Sequence, residues 1–228
     1  MYKDINLHLI SKNKFKTLKD DLTATLKKNS GLRVEYSGKD KTILKGKYYL
    51  CNNNDELIEH FDITICVRKG YPYFFPILIE NSEKIERHID NHIDDNGVAC
   101  VEIDKFAKVI AKYGISIYDF IEYYVKKYFS WQLVKQNEGD ENLTEWAHHS
   151  AGDIQMYMGL IGSDDVGVIF NFLSNYLANK NIARNDKCIC GSNLKLKQCH
   201  EGLVLLLKDI GYNQIKNDIN LFKPKDVY

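Results

Sequence analysis

Residues 71–103 read YPYFFPILIENSEKIERHIDNHIDDNGVACVEI. The stretch holds two of the chain's three prolines and places Cys100 three residues after Gly97. Its middle part, residues 81–99, is polar and shows neither helical nor strand periodicity. Loops of that length are uncommon in compact domains and are usually functional. We therefore expect the segments on either side to position Cys100.

The residues before the loop predict a meander of strands at 32–37, 42–51, 57–68 and 77–80. Asn52 to Asp55 forms a turn between two of them, because asparagine and aspartate favour turn conformations. No helical segment separates the strands, which favours an antiparallel sheet. One face of the third strand should be buried, because apolar residues alternate with polar ones: Phe61, Ile63, Ile65 and Val67.

Helices should flank this sheet, giving an α+β fold. A stripe of apolar residues at steps of three and four predicts a helix over 11–29, namely Phe15, Leu18, Leu22 and Leu26. Ser116 with Asp119 is a capping-box signature for a second helix, with an expected buried face of Phe120, Ile121, Tyr124, Val125 and Tyr128. A third helix is predicted over 151–161. A fourth should begin at Ser163 and bury Val166, Ile169, Phe170, Leu173 and Leu177.

The composition narrows the functional class. Hydrophobic residues make up 44% of the 228 residues, enough for a packed core. Lys+Arg and Asp+Glu both total 31, and this balance argues against nucleic acid as the main partner. The first residues form no apolar run of signal-peptide length, and no stretch approaches the ~18 apolar residues of a membrane span. We therefore expect a cytoplasmic protein without a membrane partner.

A cluster of cysteines near the C-terminus predicts a metal site. Three cysteines and a histidine lie within thirteen residues, which is metal-ligand spacing rather than a disulfide pattern. Three thiolates and an imidazole suit a tetrahedral structural zinc ion, so the predicted ligands are Cys188, Cys190, Cys199 and His200. The segment is too small to bury a core of its own, so we expect metal binding to supply its folding energy.

Cys100 is the candidate reactive thiol. If residues 98–104 are extended, Ala99, Val101 and Ile103 face the core, and Cys100 faces outward. The alternative is a structural cysteine in a strand, which is a common fate of free cysteine. Acidic neighbours should raise the thiol pKa, which disfavours a protease-like nucleophile: Asp94, Asp95, Glu102 and Asp104.

The sequence motifs around Cys100, taken in their order along the chain, resemble the active-site region of ubiquitin-conjugating enzymes. Tyr71-Pro72 and Pro76, the histidine-containing loop, and Gly97-x-x-Cys100 carry the resemblance, which spans about residues 1–130 and is nearest to the prokaryotic branch. It implies that Cys100 carries a protein C-terminus as a thioester and passes it to a lysine amine. It further implies antiphage defence, an activating enzyme, and a ubiquitin-like protein or cGAS-like nucleotidyltransferase as the carried protein.

The chain departs from that family at the residue that stabilises the oxyanion. The family's His-Pro-Asn tripeptide is absent, which leaves four candidate donors in the loop: His88, Asn91, His92 and Asn96. A segment beginning Trp146-Ala147-His148-His149 resembles an element of the prokaryotic branch. Two other functions stay open, namely a non-catalytic binding module on the same fold and a cysteine hydrolase that uses Cys100 with His88 or His92.

Residues 185–200 resemble the SEC-C motif, a zinc-binding docking module. The matching positions are Asn185-Asp186-x-Cys-x-Cys-Gly-Ser and Lys195-x-Lys197-x-Cys-His. We therefore expect a ubiquitin-conjugating-like catalytic domain over residues 1–180. A zinc knuckle and tail should follow over residues 181–228.

Overall fold

The computed structural model of the chain describes residues 14–139 and 149–223. Contacts divide the chain into two compact units, one within residues 8–144 and the other within residues 145–228. Among the described residues, no helix combines the length and apolarity needed to cross a membrane.

The first unit contains a five-stranded sheet preceded by helix α1 (Leu18–Lys28). The strands lie in sequence order, and each pairs antiparallel with the next. Their bounds are β1 (Leu32–Ser37), β2 (Lys41–Cys51), β3 (Leu57–Arg68), β4 (Ile77–Glu80) and β5 (Val98–Ala99). The predicted antiparallel meander is confirmed, as is the alternating burial of β3.

The turn between β2 and β3 forms as the sequence predicts. The Asn52 side-chain oxygen accepts hydrogen bonds from the backbone N–H groups of Asn54 and Glu56, at 2.9 and 3.0 Å. These bonds satisfy donors that the strand ladder leaves unpaired at the chain reversal.

The other helices of this unit follow the sheet. Helix α2 (Asp104–Tyr113) is followed by one continuous helical stretch made of α3 (Ile117–Asp119), a π-helical segment (Phe120–Val125) and α4 (Lys126–Glu138). Ser116 caps this stretch, because its Oγ accepts from Asp119 N–H at 2.9 Å and donates to the Asp119 carboxylate at 2.7 Å. The predicted buried face is confirmed, from Phe120 to Tyr128.

The core of the first unit lies between the sheet and the 117–138 helical stretch. Phe129 stacks on Phe61 with ring centroids 4.0 Å apart and lies beside Tyr48. Phe75 packs edge-on against Phe120. Such aromatic pairs add to the stabilisation that burial of their area provides.

A buried aspartate fixes α1 against the start of α3. Asp21 is fully buried and accepts hydrogen bonds from the backbone N–H groups of Ile117 and Tyr118, at 2.6 and 3.0 Å. The Tyr71 hydroxyl donates to the same carboxylate at 2.6 Å. A carboxylate at a helix N-terminus satisfies unpaired donors and interacts favourably with the helix dipole.

Two sequence-based expectations for this unit are confirmed only in part. The first helix begins at Leu18 after its N-cap Thr17; of the predicted range, residues 11–13 lie outside the described residues. Within the segment expected to be extended, 98–104, strand pairing ends at Ala99 and α2 begins at Asp104, with Ile103 as its extended N-cap. The physical reason is an apolar helical face in α2, which buries Phe106 and Val109.

The second unit is built from helices. They are α5 (His149–Ile161), α6 (Val166–Ala178), α7 (Glu201–Ile210) and α8 (Tyr212–Asp218). Asp165 caps α6, because its carboxylate accepts from the backbone N–H groups of Gly167 and Val168. The predicted third helix is confirmed as α5, whereas residues 140–148, including most of the Trp146 segment, lie outside the described residues.

The buried face of α6 differs from the predicted one. Val166 is 43% exposed, whereas Phe172 and Tyr176 are buried together with Ile169 and Leu173. The helix also begins at Val166 rather than Ser163. The helices that pack on α6 in this unit determine which of its faces is buried. Helical periodicity alone does not indicate where those helices pack.

The segment that carries the cysteine and histidine cluster is not a free-standing knuckle. Helices α5 and α6, which precede it, and α7 and α8, which follow it, belong to one compact unit with buried residues that include Tyr157, Leu173, Leu207, Ile215 and Phe222. The segment thus lies against a hydrophobic core that the neighbouring helices supply, while the expectation that metal binding supplies its folding energy stays a prediction. The functional boundary at residue 180 stays a prediction, but helices on both sides of it pack together.

Candidate metal centre and candidate reactive cysteine

Short turns bring the four predicted zinc ligands together. Lys187 and Lys195 form an antiparallel bridge, and Cys188 N–H donates to the Leu194 carbonyl at 2.8 Å. Gly191 turns the chain between them with φ +82°, a conformation that favours glycine. The second ligand pair follows a short 3-10 helix (Leu196–Gln198), directly before α7.

The ligand atoms have the spacing of a tetrahedral site. One atom from each of the four residues lies within 4.8 Å of all the others. Cys199 Sγ is 3.0 Å and Cys188 Sγ is 3.3 Å from His200 Nδ1, while Cys190 Sγ is 3.5 Å from Cys199 Sγ. Tetrahedral zinc with its usual bond lengths separates two sulfurs by ~3.7 Å and a sulfur from a nitrogen by ~3.5 Å. The residues therefore fit a single ion held through His200 Nδ1.

The thiols of this cluster influence each other's protonation. Burial alone would raise the pKa of Cys190, but hydrogen bonds from Ser192 and from the neighbouring thiols outweigh it and lower that pKa to about 6. Burial raises the pKa of Cys188 to about 11. A bound cation would favour the thiolate form of every cysteine ligand.

Side chains of α6 support the cluster from outside. The His200 ring packs edge-on against Phe172 with centroids 5.1 Å apart. The Asn175 side-chain amide donates to the Ile189 carbonyl between the first two cysteines, at 3.0 Å. These contacts orient the ligand-bearing turns independently of the metal, as supporting residues do around other metal sites.

The Cys100 thiol lies after a tight turn, as the sequence predicts. The Asp94 carboxylate accepts from the backbone N–H groups of Asn96 and Val98, at 2.9 and 2.8 Å. Gly97 has φ +78°, and a Cβ there would lie 2.4 Å from the Glu80 carbonyl oxygen, so the position requires glycine. Cys100 is exposed, and its N–H donates to the His92 carbonyl at 2.7 Å.

A buried ion pair anchors the loop before Cys100 to strand β4. The Glu80 carboxylate is fully buried and lies 2.6 Å from Arg87 Nη1. Arg87 Nη2 also donates to the Glu80 carbonyl at 2.8 Å, beside the backbone of Gly97. Ser82 donates to the same carboxylate through its backbone N–H. The pair therefore ties the middle of the loop to its beginning.

Arg87→Ala should destabilise the first unit by roughly 3 kcal/mol, because it leaves the buried Glu80 carboxylate without its cation. Arg33→Ala is the matched control, since Arg33 and Glu35 form an exposed pair whose loss should cost less than ~1 kcal/mol. Urea unfolding of both variants measures the difference. Equal, small losses of unfolding free energy in both variants would show that the Arg87–Glu80 pair does not hold the loop.

Burial and nearby carboxylates raise the Cys100 pKa. Partial burial of the thiol is the largest cause, and Asp104 and Glu102 add to it, while a hydrogen bond with the Glu102 backbone opposes it. The upward direction of the pKa shift at Cys100 agrees with the prediction. Burial is the main cause of this pKa shift. It follows from the fold and was not part of the prediction.

The candidate oxyanion donors lie in different surroundings. The Asn91 side chain donates to the Glu86 carbonyl at 3.1 Å, and the His88 ring accepts from Asp90 N–H while lying beside the Asp90 carboxylate. Asn96 is exposed in the turn. His92 is in main-chain contact with Cys100, and its ring packs against Trp131 with centroids 5.6 Å apart. Their catalytic roles stay predictions.

Helix α4 supplies contacts to the loop that sequence reasoning missed. The Tyr128 hydroxyl and the Gln132 side-chain amide both donate to the Asn91 carbonyl, at 3.1 and 2.5 Å. Lys135 donates to the Asp90 carbonyl at 2.7 Å, and its Nζ lies 4.9 Å from the Trp131 ring centroid. The sequence does contain a signal for these contacts, because the spacing of Tyr128, Gln132 and Lys135 places the three residues on one face of a helix.

We expect an alkylating agent to modify Cys100 at least about tenfold faster than Cys51 or Cys66, because half-buried thiols react through local opening. The rate at Cys100 should still rise as pH passes 9, because the raised pKa keeps the thiol protonated below that value. Asp104→Asn should increase the rate at pH 8 by lowering that pKa. Peptide mass spectrometry after brief labelling measures all three rates, and equal protection of the three cysteines would favour the binding-module alternative.

Comparison with known proteins identifies the C-terminal segment. The family model described as the SEC-C motif matches residues 184–202, which include all four clustered ligands. The match covers less than a tenth of the chain and therefore identifies a motif of the metal-binding type, not a family for the whole protein. No curated protein and no solved structure matches the chain, so the resemblance of residues 1–130 rests on their sequence motifs.

Proposed function

We propose that the chain is a ubiquitin-conjugating-like acyltransferase that carries a protein C-terminus on Cys100. The observation that supports this most directly is the exposure of Cys100 at the end of a loop tied to both β4 and α4. A carrier thiol must be open to two large partners in turn while its surroundings stay ordered. The experiment that tests the proposal is capture of a thiol-sensitive adduct, which is argued in the Discussion.

The chemistry consists of two acyl transfers. The Cys100 thiolate attacks the activated C-terminal carbonyl of the donor, forming a carbon–sulfur bond while the donor's leaving group departs with its electron pair. A lysine amine then attacks the same carbon, so a carbon–nitrogen bond forms and the thiolate leaves. The amine proton passes to a nearby base, for which Glu102 and Asp104 are our candidates.

The raised Cys100 pKa supports a carrier over a hydrolase. Cysteine hydrolases depend on a thiolate that a neighbouring cation activates, which requires a lowered pKa. Here burial, Asp104 and Glu102 all act in the opposite direction. Incubation with an activated partner separates the alternatives, since a carrier holds the acyl group, a hydrolase releases it, and a binding module does neither.

We further propose that Cys188, Cys190, Cys199 and His200 hold one structural zinc ion. The donor set and the spacing of the ligand atoms support this. All four positions are filled by protein ligands, which leaves no open coordination position for catalysis. The SEC-C segment would then act as a docking module in the same chain as the transferase. By the resemblance, the carried protein is a ubiquitin-like protein or a cGAS-like nucleotidyltransferase, supplied by an activating enzyme.

A further inference from the structure

The first unit contains a cleft of about 760 Å³ formed by α1, the β1–β2 turn, the β3–β4 connection and the end of α2. No acidic side chain is found among the described residues that line it, although the whole chain has no net charge. The cations that line it come from four separate segments: Lys16, Lys39, Lys41, Arg68, Lys69 and Lys112. The cleft therefore carries a local excess of positive charge that the zero net charge of the whole chain does not reveal.

Most of this charge is not neutralised within the described part of the chain. Lys39, Lys41 and Arg68 are exposed and form no ion pair with another described residue. Lys69 lies 4.0 Å from Asp40, but both side chains are more than three-quarters exposed, so this pair is weak. The nearby Asp21 carboxylate is buried and bonded to Tyr71 and to the helix it caps.

Aromatic rings lie among these cations. Tyr73 is 62% exposed and Tyr113 is 38% exposed, and both line the cleft. Exposed aromatic rings on which bases can stack, interleaved with cations that contact phosphates, are the recognition elements of single-stranded nucleic acid sites. An acidic peptide would use the cations but would gain little from the rings.

We propose that this cleft binds a phosphorylated nucleoside, either as a free nucleotide or within a single-stranded nucleic acid. Lys39, Lys41 and Arg68 contact the phosphates, and Tyr73 stacks on a base. The volume lies within the range of small-ligand sites. Binding here is independent of Cys100 chemistry and of the metal centre.

The test is fluorescence anisotropy of a short labelled oligothymidylate with the full chain at low salt. The variant Lys39→Ala/Lys41→Ala/Arg68→Ala should bind at least about tenfold more weakly, and its salt slope should fall by about two, since each lost contact to a single strand removes ~0.7. Tyr73→Leu should weaken binding about fivefold or more without changing the salt slope, because stacking is not ionic.

The matched control removes three exposed lysines that do not line the cleft, as Lys45→Ala/Lys108→Ala/Lys126→Ala, and should leave binding within about twofold. Displacement of the probe by ATP identifies a nucleotide site, whereas displacement by unlabelled oligonucleotide alone identifies a single-strand site. Absence of binding by the wild type, equal competition by polyglutamate, or equal weakening by the control variant would overturn the proposal.

Discussion

Cys199→Ser should abolish zinc binding, from about one ion per chain to almost none. Zinc in comparable small sites contributes ~10–16 kcal/mol of apparent binding free energy at neutral pH, and Cys199 lies within 3.5 Å of ligand atoms of both Cys190 and His200. Loss of one thiolate should therefore release the ion. Metal analysis of the purified protein by inductively coupled plasma mass spectrometry gives the stoichiometry.

The same variant should loosen residues 184–200 without unfolding the rest of the protein. The first unit has a separate core built from residues between Leu32 and Phe129. In the second unit, buried residues of α5 to α8, such as Tyr157 and Leu207, keep their contacts. Far-UV circular dichroism should retain most of its helical signal, while hydrogen exchange in the 184–200 segment accelerates.

Cys51→Ser is the matched control, because Cys51 is half-buried at the end of β2 and outside the cluster. It should keep the full zinc content. Acidification should release zinc from the wild type, because protons compete with the metal for the thiolates and the imidazole. Stoichiometric zinc in Cys199→Ser, or equal loss in Cys51→Ser, would refute the ligand assignment.

Cys100→Ala should eliminate the adduct with the activated partner, whereas Cys100→Ser should change its chemistry. In the wild type, the adduct should disappear on treatment with a reducing thiol, because thiols exchange with thioesters and leave amides intact. A serine adduct would be an oxyester, which resists thiols and amines. Non-reducing gels with and without thiol, followed by mass spectrometry, distinguish the three cases.

The control for this experiment is Cys66→Ala, which removes a half-buried thiol from β3 and should leave the adduct unchanged. Replacement of the oxyanion donor should slow transfer to lysine by ~10²- to 10³-fold while loading persists. Single alanine variants of His88, Asn91, His92 and Asn96 would identify it. A thiol-sensitive adduct that still forms on Cys100→Ala would show that another residue carries the acyl group.

The sequence was sufficient where the determining interactions are local. Alternating residues in β3 and the Ser116–Asp119 capping box predicted elements that the structure contains. The clustering of three cysteines and a histidine follows from their spacing, because turns of a few residues bring them together. These are contacts between residues close in sequence, and one chain segment encodes each of them.

Features that depend on distant segments were missed or wrong. The buried face of α6 excludes Val166 because other helices determine which side is covered. The main cause of the raised Cys100 pKa is burial, which requires the folded loop. The cationic cleft combines residues as distant in sequence as Lys16 and Lys112. In each case several segments must fold together before the property exists.

The contacts of Tyr157 join a helix that precedes the SEC-C motif to residues that follow it. They therefore limit which part of this unit recombination can move to another gene without loss of folding. The Tyr157 hydroxyl donates to Asp218 at 2.7 Å, and its ring packs edge-on against Phe222. A cassette cut at residue 180 would separate α5 and α6 from these partners and expose their apolar faces, which favours aggregation. Recombination that preserves folding should therefore transfer the motif together with the helices before and after it.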